Sequence, residues 1–254
     1  MRKKIFFIFI IYSTYISLGL PDSLLGVTWP EMVEDFRVTY SAAGVISMMM
    51  AICTVISSLQ AVRFTTKIGT GKLVLASVLL SVIGLIGFGF SHNFYLVILA
   101  ALPLGFGAGA IDASVNDYVA VNFKAHHMNW LHAFWGVGAT SGPIIMGVML
   151  NNEFSWRSGY LVIGGIQLLL AIILFLSLPL WKQNEKKVSK ETEKSTSSSR
   201  NVLKQTGVIL SLLSFVFYVG LEGTIFLWGS SYLIDVKSLS VVNASFIISM
   251  FLQA

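Results

Sequence analysis

Gly105-Phe106-Gly107-Ala108-Gly109-Ala110-Ile111-Asp112-Ala113-Ser114-Val115-Asn116-Asp117 sets two carboxylates and an amide into a run of small residues. The surroundings of this stretch decide where it lies. The chain has 254 residues, of which 55% are hydrophobic and 11% charged, against roughly 25% charged in a soluble domain. Its mean hydropathy is +0.78. The stretch is therefore expected at membrane depth. An ionisable side chain there costs about 2.5–3.5 kcal/mol on insertion scales, so it faces a cavity or a partner and marks a pathway. Gly105 and Gly109 form a GxxxG pair that Ala113 extends, a face that lets a neighbouring helix approach closely. Asp112 and Asn116 stand one turn apart and share a face. Asp112 and Asp117 are five residues apart and point to different faces, which argues against a paired-carboxylate catalytic dyad. Asp117 lies nearer the helix end, where a loop cation such as Lys67 is its expected partner.

A spanning helix needs about 20 mainly apolar residues. Working outward, the segments 5–29, 41–62, 73–91, 94–121, 128–150, 157–180 and 206–234 meet this, and an eighth begins near 240 and stops at Ala254. The fold class is thus an all-α, multi-pass membrane protein. The basic start Met1-Arg2-Lys3-Lys4 resembles a signal peptide, but no small-residue cleavage site follows, so it reads as an uncleaved first span. With the N-terminus cytoplasmic, every Lys and Arg except Arg37, Arg157 and Lys237 falls on the inside. That bias explains the net charge of +5 without nucleic acid. Cys53 has no intrachain partner and reads as a small buried residue.

Trp181 to Lys204 is the one long polar stretch, and its charged, Ser-rich composition reads as a flexible linker. The domains are then a six-helix bundle at 1–181, a cytoplasmic linker at 182–204 and the start of a second bundle at 205–254. Six spans, a linker and further spans is the organisation of a two-halved secondary transporter. The first span carries Gly19-Leu20-Pro21-Asp22, the fourth Gly109-Ala110-Ile111-Asp112, and the seventh Gly220-Leu221-Glu222. Each opens a three-helix set, and inverted repeats would gather the three acids around one cavity.

The fifth span places Asn129, His132 and Trp135 at helical spacing, so one face offers amide, imidazole and indole. It continues through Gly138, Gly142 and Pro143, a closely packed helix able to kink. No metal-ligand spacing, nucleophile elbow or phosphate loop occurs, which argues against an enzyme and implies no cofactor. After the second span comes Arg63-Phe64-Thr65-Thr66-Lys67-Ile68-Gly69-Thr70-Gly71-Lys72. This resembles the cytoplasmic loop motif of the major facilitator superfamily, matched at Lys67, Gly69 and Lys72, with Thr66 in place of its Asp. The Gly142-Pro143 pair is similar to that superfamily's fifth-helix motif. Asp22, the Asp112-x-x-x-Asn116 pattern and Asn129 together resemble the fucose–proton symporter branch, with Asp112 where that branch has Glu.

The resemblance covers one half-transporter and the start of the other. It implies a solute contact for Asp22 and proton coupling for Asp112, with Asp22 joined to both roles. The reading is a proton-coupled secondary transporter for a small polar solute such as a sugar. Asp22, Asn116, Asn129, His132, Trp135 and Glu222 would bind the solute, and Lys67, Gly69 and Lys72 would form a conformational loop. The expected partners are the solute, the proton, the lipid bilayer and, in a full-length version, the missing C-terminal half. A multidrug or metabolite exporter is the alternative within the class. A non-transporting truncated membrane protein is the alternative outside it, since the chain ends inside a span.

Overall fold

Backbone in lipid satisfies its polar groups only as helix or closed barrel. The computed structural model, which describes residues 2–188 and 205–251, contains no strand among them. The helices are α1 (Arg2–Gly19), α2 (Leu24–Phe36), α3 (Ala43–Ile68), α4 (Thr70–Gly89), α5 (Phe94–Asn122), α6 (Ala125–Asn151), α7 (Trp156–Val188), α8 (Val208–Asp235) and α9 (Val241–Phe251). Seven segments among the described residues are long and apolar enough to cross a bilayer, and α1 with α2 counts as one of them, Phe6–Phe36. This is the all-helical membrane fold expected. Several boundaries differ from the sequence reading; the first span runs on to Phe36 rather than 29, and the second to Ile68 rather than 62. The first span was read as one helix over 5–29, yet it breaks after Gly19 and resumes at Leu24. The sixth span was read to 180 and runs on to Val188. The rest of the stretch read as linker, 189–204, lies outside the described residues.

Local chemistry explains the joints. Gly69 ends α3 and starts α4 at φ 85°, ψ 154°, a region essentially restricted to glycine. Asn93 caps α5, its side chain accepting from Leu96 N at 3.0 Å. At the far end of the first span Asp35 holds it against α7. Its Oδ2 accepts from Arg157 Nη1 and, at 3.0 Å, from Trp156 Nε1. The Arg157 guanidinium lies 4.3 Å over the Trp156 ring and donates Nε to the Ser91 carbonyl at 2.8 Å. These contacts hold the acidic turns of α2 that follow Trp29, where the apolar run ends.

Packing follows the small residues. Gly105 and Gly109 press against the α3 backbone at Met50 and Thr54, and Thr54, Ser57 and Ser58 donate to carbonyls along α5. The GxxxG face thus seats α3, while α4 packs beside it. Gly138 and Gly142 face α1 and its broken end, where a methyl on either would run into the Ile16 or Leu20 carbonyl. α6 passes unbroken through Pro143. That proline leaves the Ala139 carbonyl without its helical donor, and Ser23 Oγ donates to it at 3.4 Å. Pro30 does the same to the Gly26 carbonyl, which accepts from Ser231 Oγ of α8 at 3.4 Å.

Among the described residues, α8 and α9 touch the earlier helices mainly toward one end. There α2 packs on α8, Tyr40 donates its hydroxyl to Asp235 Oδ2 at 2.6 Å, and the Tyr40 and Trp228 rings stack at 6.0 Å. α9 lies along the distal half of α6, where Ser249 and Thr140 exchange hydroxyl-to-carbonyl bonds. The first half of α8 is exposed.

Candidate functional site

The break in the first span builds the site. Pro21 has no N–H and its ring opposes continuation of α1, so the chain turns through Leu20–Ser23 and α2 starts at Leu24. Asp22 sits in that turn, just ahead of the α2 N-terminus, where the helix dipole favours negative charge. Its Oδ2 accepts from Trp135 Nε1 of α6 at 2.7 Å. Beyond it lies a cavity of about 120 Å³ whose lining includes Met50, Phe88, Leu104, Tyr160 and Phe226, with Asp22 the one carboxylate among the lining residues. The space is small beside the roughly 300–1,000 Å³ of pockets for drug-sized ligands. It is closed by α8 at Gly223, Phe226 and Leu227.

A second cluster lies nearer the start of α1. Asp112 of α5 is exposed. Its Oδ1 accepts from Tyr15 Oη at 3.1 Å and from Asn116 Nδ2 at 2.9 Å. The His132 ring meets the Tyr15 ring edge-on, 5.8 Å between centroids. One layer further, the Tyr12 hydroxyl lies 2.6 Å from His127 Nδ1 and its ring stacks on Phe134 at 4.8 Å. Tyr15 lies in the last turns of α1 and Asp22 in the turn beyond its end, so the two carboxylate clusters sit at different levels of the span.

The residues singled out in the sequence thus divide between two depths. Asp22 and Trp135 are bonded to each other and adjoin the cavity. Asp112, Asn116 and His132 gather around Tyr15. Glu222 is half-buried in α8. Asn129 is exposed near the start of α6, away from the cavity. Lys67 and Lys72 are exposed on either side of Gly69. Asp117 is also exposed and makes no ion pair with Lys67; among the described residues the one ion pair is Arg157–Asp35. The expected partner is therefore corrected. Asp117 lies exposed in the last turns of α5.

Sequence reasoning missed Tyr15, Tyr160 and Phe226. Tyr15 was within reach of it, because Tyr12, Tyr15 and Gly19 recur at helical spacing along α1. The cavity aromatics carry no such signal, since they come from helices far apart in sequence. Among the described residues no group of three or more His, Cys, Asp or Glu is placed to hold a metal ion.

Relatives place this geometry in a family. The chain is 25% identical over 238 residues to a hexuronate transporter of Bacillus subtilis, covering 90% of this chain and 56% of that protein. It is 25% identical over 147 residues to a glucose/mannose transporter of the same organism, covering 56% of this chain and 37% of the relative. A Saccharomyces cerevisiae protein named bypass of stop codon protein 6 is 22% identical over 260 residues, covering 93% of this chain and 52% of its own. The chain thus spans about half the length, or less, of these curated relatives. None of these names is that of an enzyme. The crystal structure of a D-xylose-proton symporter superposes with a TM-score of 0.67 at 12% identity, over 97% of this chain and 65% of that one, which shows a shared fold. The profile of the Major Facilitator Superfamily matches residues 11–253, and the chain belongs to that superfamily.

Proposed function

We propose that the chain carries the first half, and the start of the second, of a proton-coupled secondary transporter for a small polar solute such as a sugar. The observation that carries this reading is the pair of carboxylates at two levels of the helices, each held by a donor from another helix: Asp22 by Trp135 and Asp112 by Tyr15. Asp22 offers an acceptor to solute hydroxyls beside an indole ring that can stack on a sugar face. Asp112, which is exposed, takes and releases the coupling proton. Its charge state biases which side of the site is open, since a ligand shifts an equilibrium only by its differential affinity for the two states. The bundle at 1–181 rocks against the second bundle, with 182–204 as the linker and Lys67, Gly69 and Lys72 at a loop that moves. The distribution of Lys and Arg supports a cytoplasmic N-terminus and linker in the cell membrane. Hexuronate and glucose/mannose transporters among the relatives support a sugar-like solute.

The apolar and aromatic cavity lining at Met50, Phe88, Tyr160 and Phe226 favours one other reading, export of an aromatic or amphipathic solute. One experiment separates the two. Vesicles containing the full-length gene product are loaded with labelled hexoses, pentoses or hexuronates, with and without an imposed pH gradient. Gradient-dependent sugar accumulation is expected. Dye efflux without accumulation of any sugar would replace the symporter with the exporter.

A further inference from the structure

The most demanding backbone group in the first span is the Ser17 carbonyl. In an unbroken helix it would accept from residue 21, but Pro21 has no N–H. Water is scarce at this depth, and an unpaired buried carbonyl is costly. Gln167 of α7, fully buried, supplies the missing donor: its Nε2 reaches the Ser17 oxygen at 2.6 Å. The equivalent bonds at the Gly26 and Ala139 carbonyls, which Pro30 and Pro143 leave free, are both 3.4 Å. The tightest repair therefore lies at the proline beside Asp22. Inside the break the turn is held by Asp22 N to the Gly19 carbonyl at 3.1 Å and Leu24 N to the Pro21 carbonyl at 3.3 Å. Gln167 thus anchors the α1 side of a loosely bonded turn to a helix outside it. Its own Oε1 and the Ser17 hydroxyl oxygen are buried without a partner. An apolar side chain of the same size would remove that stranded acceptor but would leave the Ser17 carbonyl unpaired in its place.

We propose that Gln167 is the positioning residue of the site: by holding the carbonyl that Pro21 frees, it sets the angle between α1 and α2 and so the place of Asp22. The link to solute rests on the transport reading above, whereas the link to the bend does not. Two measurements on the full chain keep them apart. Spin labels at Phe9→Cys and Glu34→Cys, both exposed positions, in a Cys53→Ala background report the α1–α2 angle as a distance distribution. Gln167→Met is expected to shift or broaden that distribution. Pro21→Ala returns the backbone donor to Ser17, so adding Gln167→Met to Pro21→Ala should change nothing further. In sugar exchange, Gln167→Met should raise the half-saturation concentration about tenfold, the equivalent of one hydrogen bond, with the maximal rate less affected. Gln167→Asn should recover part of the loss. An unchanged distribution in Gln167→Met, or equal and additive effects with and without Pro21→Ala, would overturn the proposal. If Gln167→Met fails to fold, rescue by Pro21→Ala supports the pairing and lack of rescue refutes it. A changed distribution with no sugar exchange by any variant would leave the bend assignment standing and remove the transport reading.

Discussion

Replacing Gly138 by Ala tests whether the first span and α6 are held at backbone contact. A methyl at Gly138 would lie 2.9 Å from the Ile16 carbonyl carbon and 3.0 Å from its Cα, and nearer still to the carbonyl oxygen. All three are backbone atoms of α1, so no side chain can swing aside. The two helices would have to separate, and overpacking of this kind costs about 1–3 kcal/mol. Gly136, two residues away on the same helix, has nothing within 4 Å of the position a methyl would take. Both substitutions share the helix-propensity gain of about 0.5–1 kcal/mol, so the difference between the two variants isolates the clash. At roughly 2–4 °C per kcal/mol for a protein of this size, Gly138→Ala should melt about 2–12 °C below Gly136→Ala. Circular dichroism of the purified protein in one detergent measures it. Equal midpoints would refute the claim that α1 and α6 meet at these glycines.

Three further outcomes follow from the same geometry. Trp135→Phe keeps the ring and removes the 2.7 Å donor to Asp22. A hydrogen bond to a charged group contributes about 1.5–3 kcal/mol, so the half-saturation concentration for solute exchange should rise at least about tenfold; an unchanged value would make the bond idle. Asp112→Asn should abolish accumulation driven by a pH gradient while sparing counterflow exchange, and persistent accumulation would assign the carboxylate a structural role. Gly69→Ala forces a side chain into a region reserved for glycine at φ 85°, ψ 154°, with a cost of about 1–3 kcal/mol. A melting point equal to that of the unsubstituted protein would show that the α3–α4 joint tolerates another conformation.

The spans were legible because each is a long apolar run, and lipid leaves such a run one way to pair its backbone. The break at Pro21 was written in the chain but read through. A single proline is tolerated in some membrane helices, as Pro143 and Pro30 are here, and residue type alone does not tell those from Pro21. Ser23 and Ser231 pair the carbonyls those two free, and the helices continue. At Pro21 the donor comes from Gln167, nearly 150 residues away in sequence, and the helix stops. The end of the first span was misplaced because its last turns are charged. Glu31, Glu34 and Asp35 look like a loop until Arg157 and Trp156 are set beside them.

Residue types and spacing alone determined that Asp112 and Asn116 share a face, since four residues are one helical turn and the bond between them stays within α5. They also singled out Asp22, a carboxylate next to a proline in a span. Tertiary structure alone decided what each carboxylate meets. Tyr15 rather than another acid holds Asp112, Trp135 holds Asp22, and the cavity aromatics Phe88, Tyr160 and Phe226 come from α4, α7 and α8. Periodicity reports the face of one helix. Which faces meet is set by where small residues let backbones approach, at Gly105 and Gly109 against α3 and at Gly138 and Gly142 against α1 and its broken end, and that is a property of helix pairs.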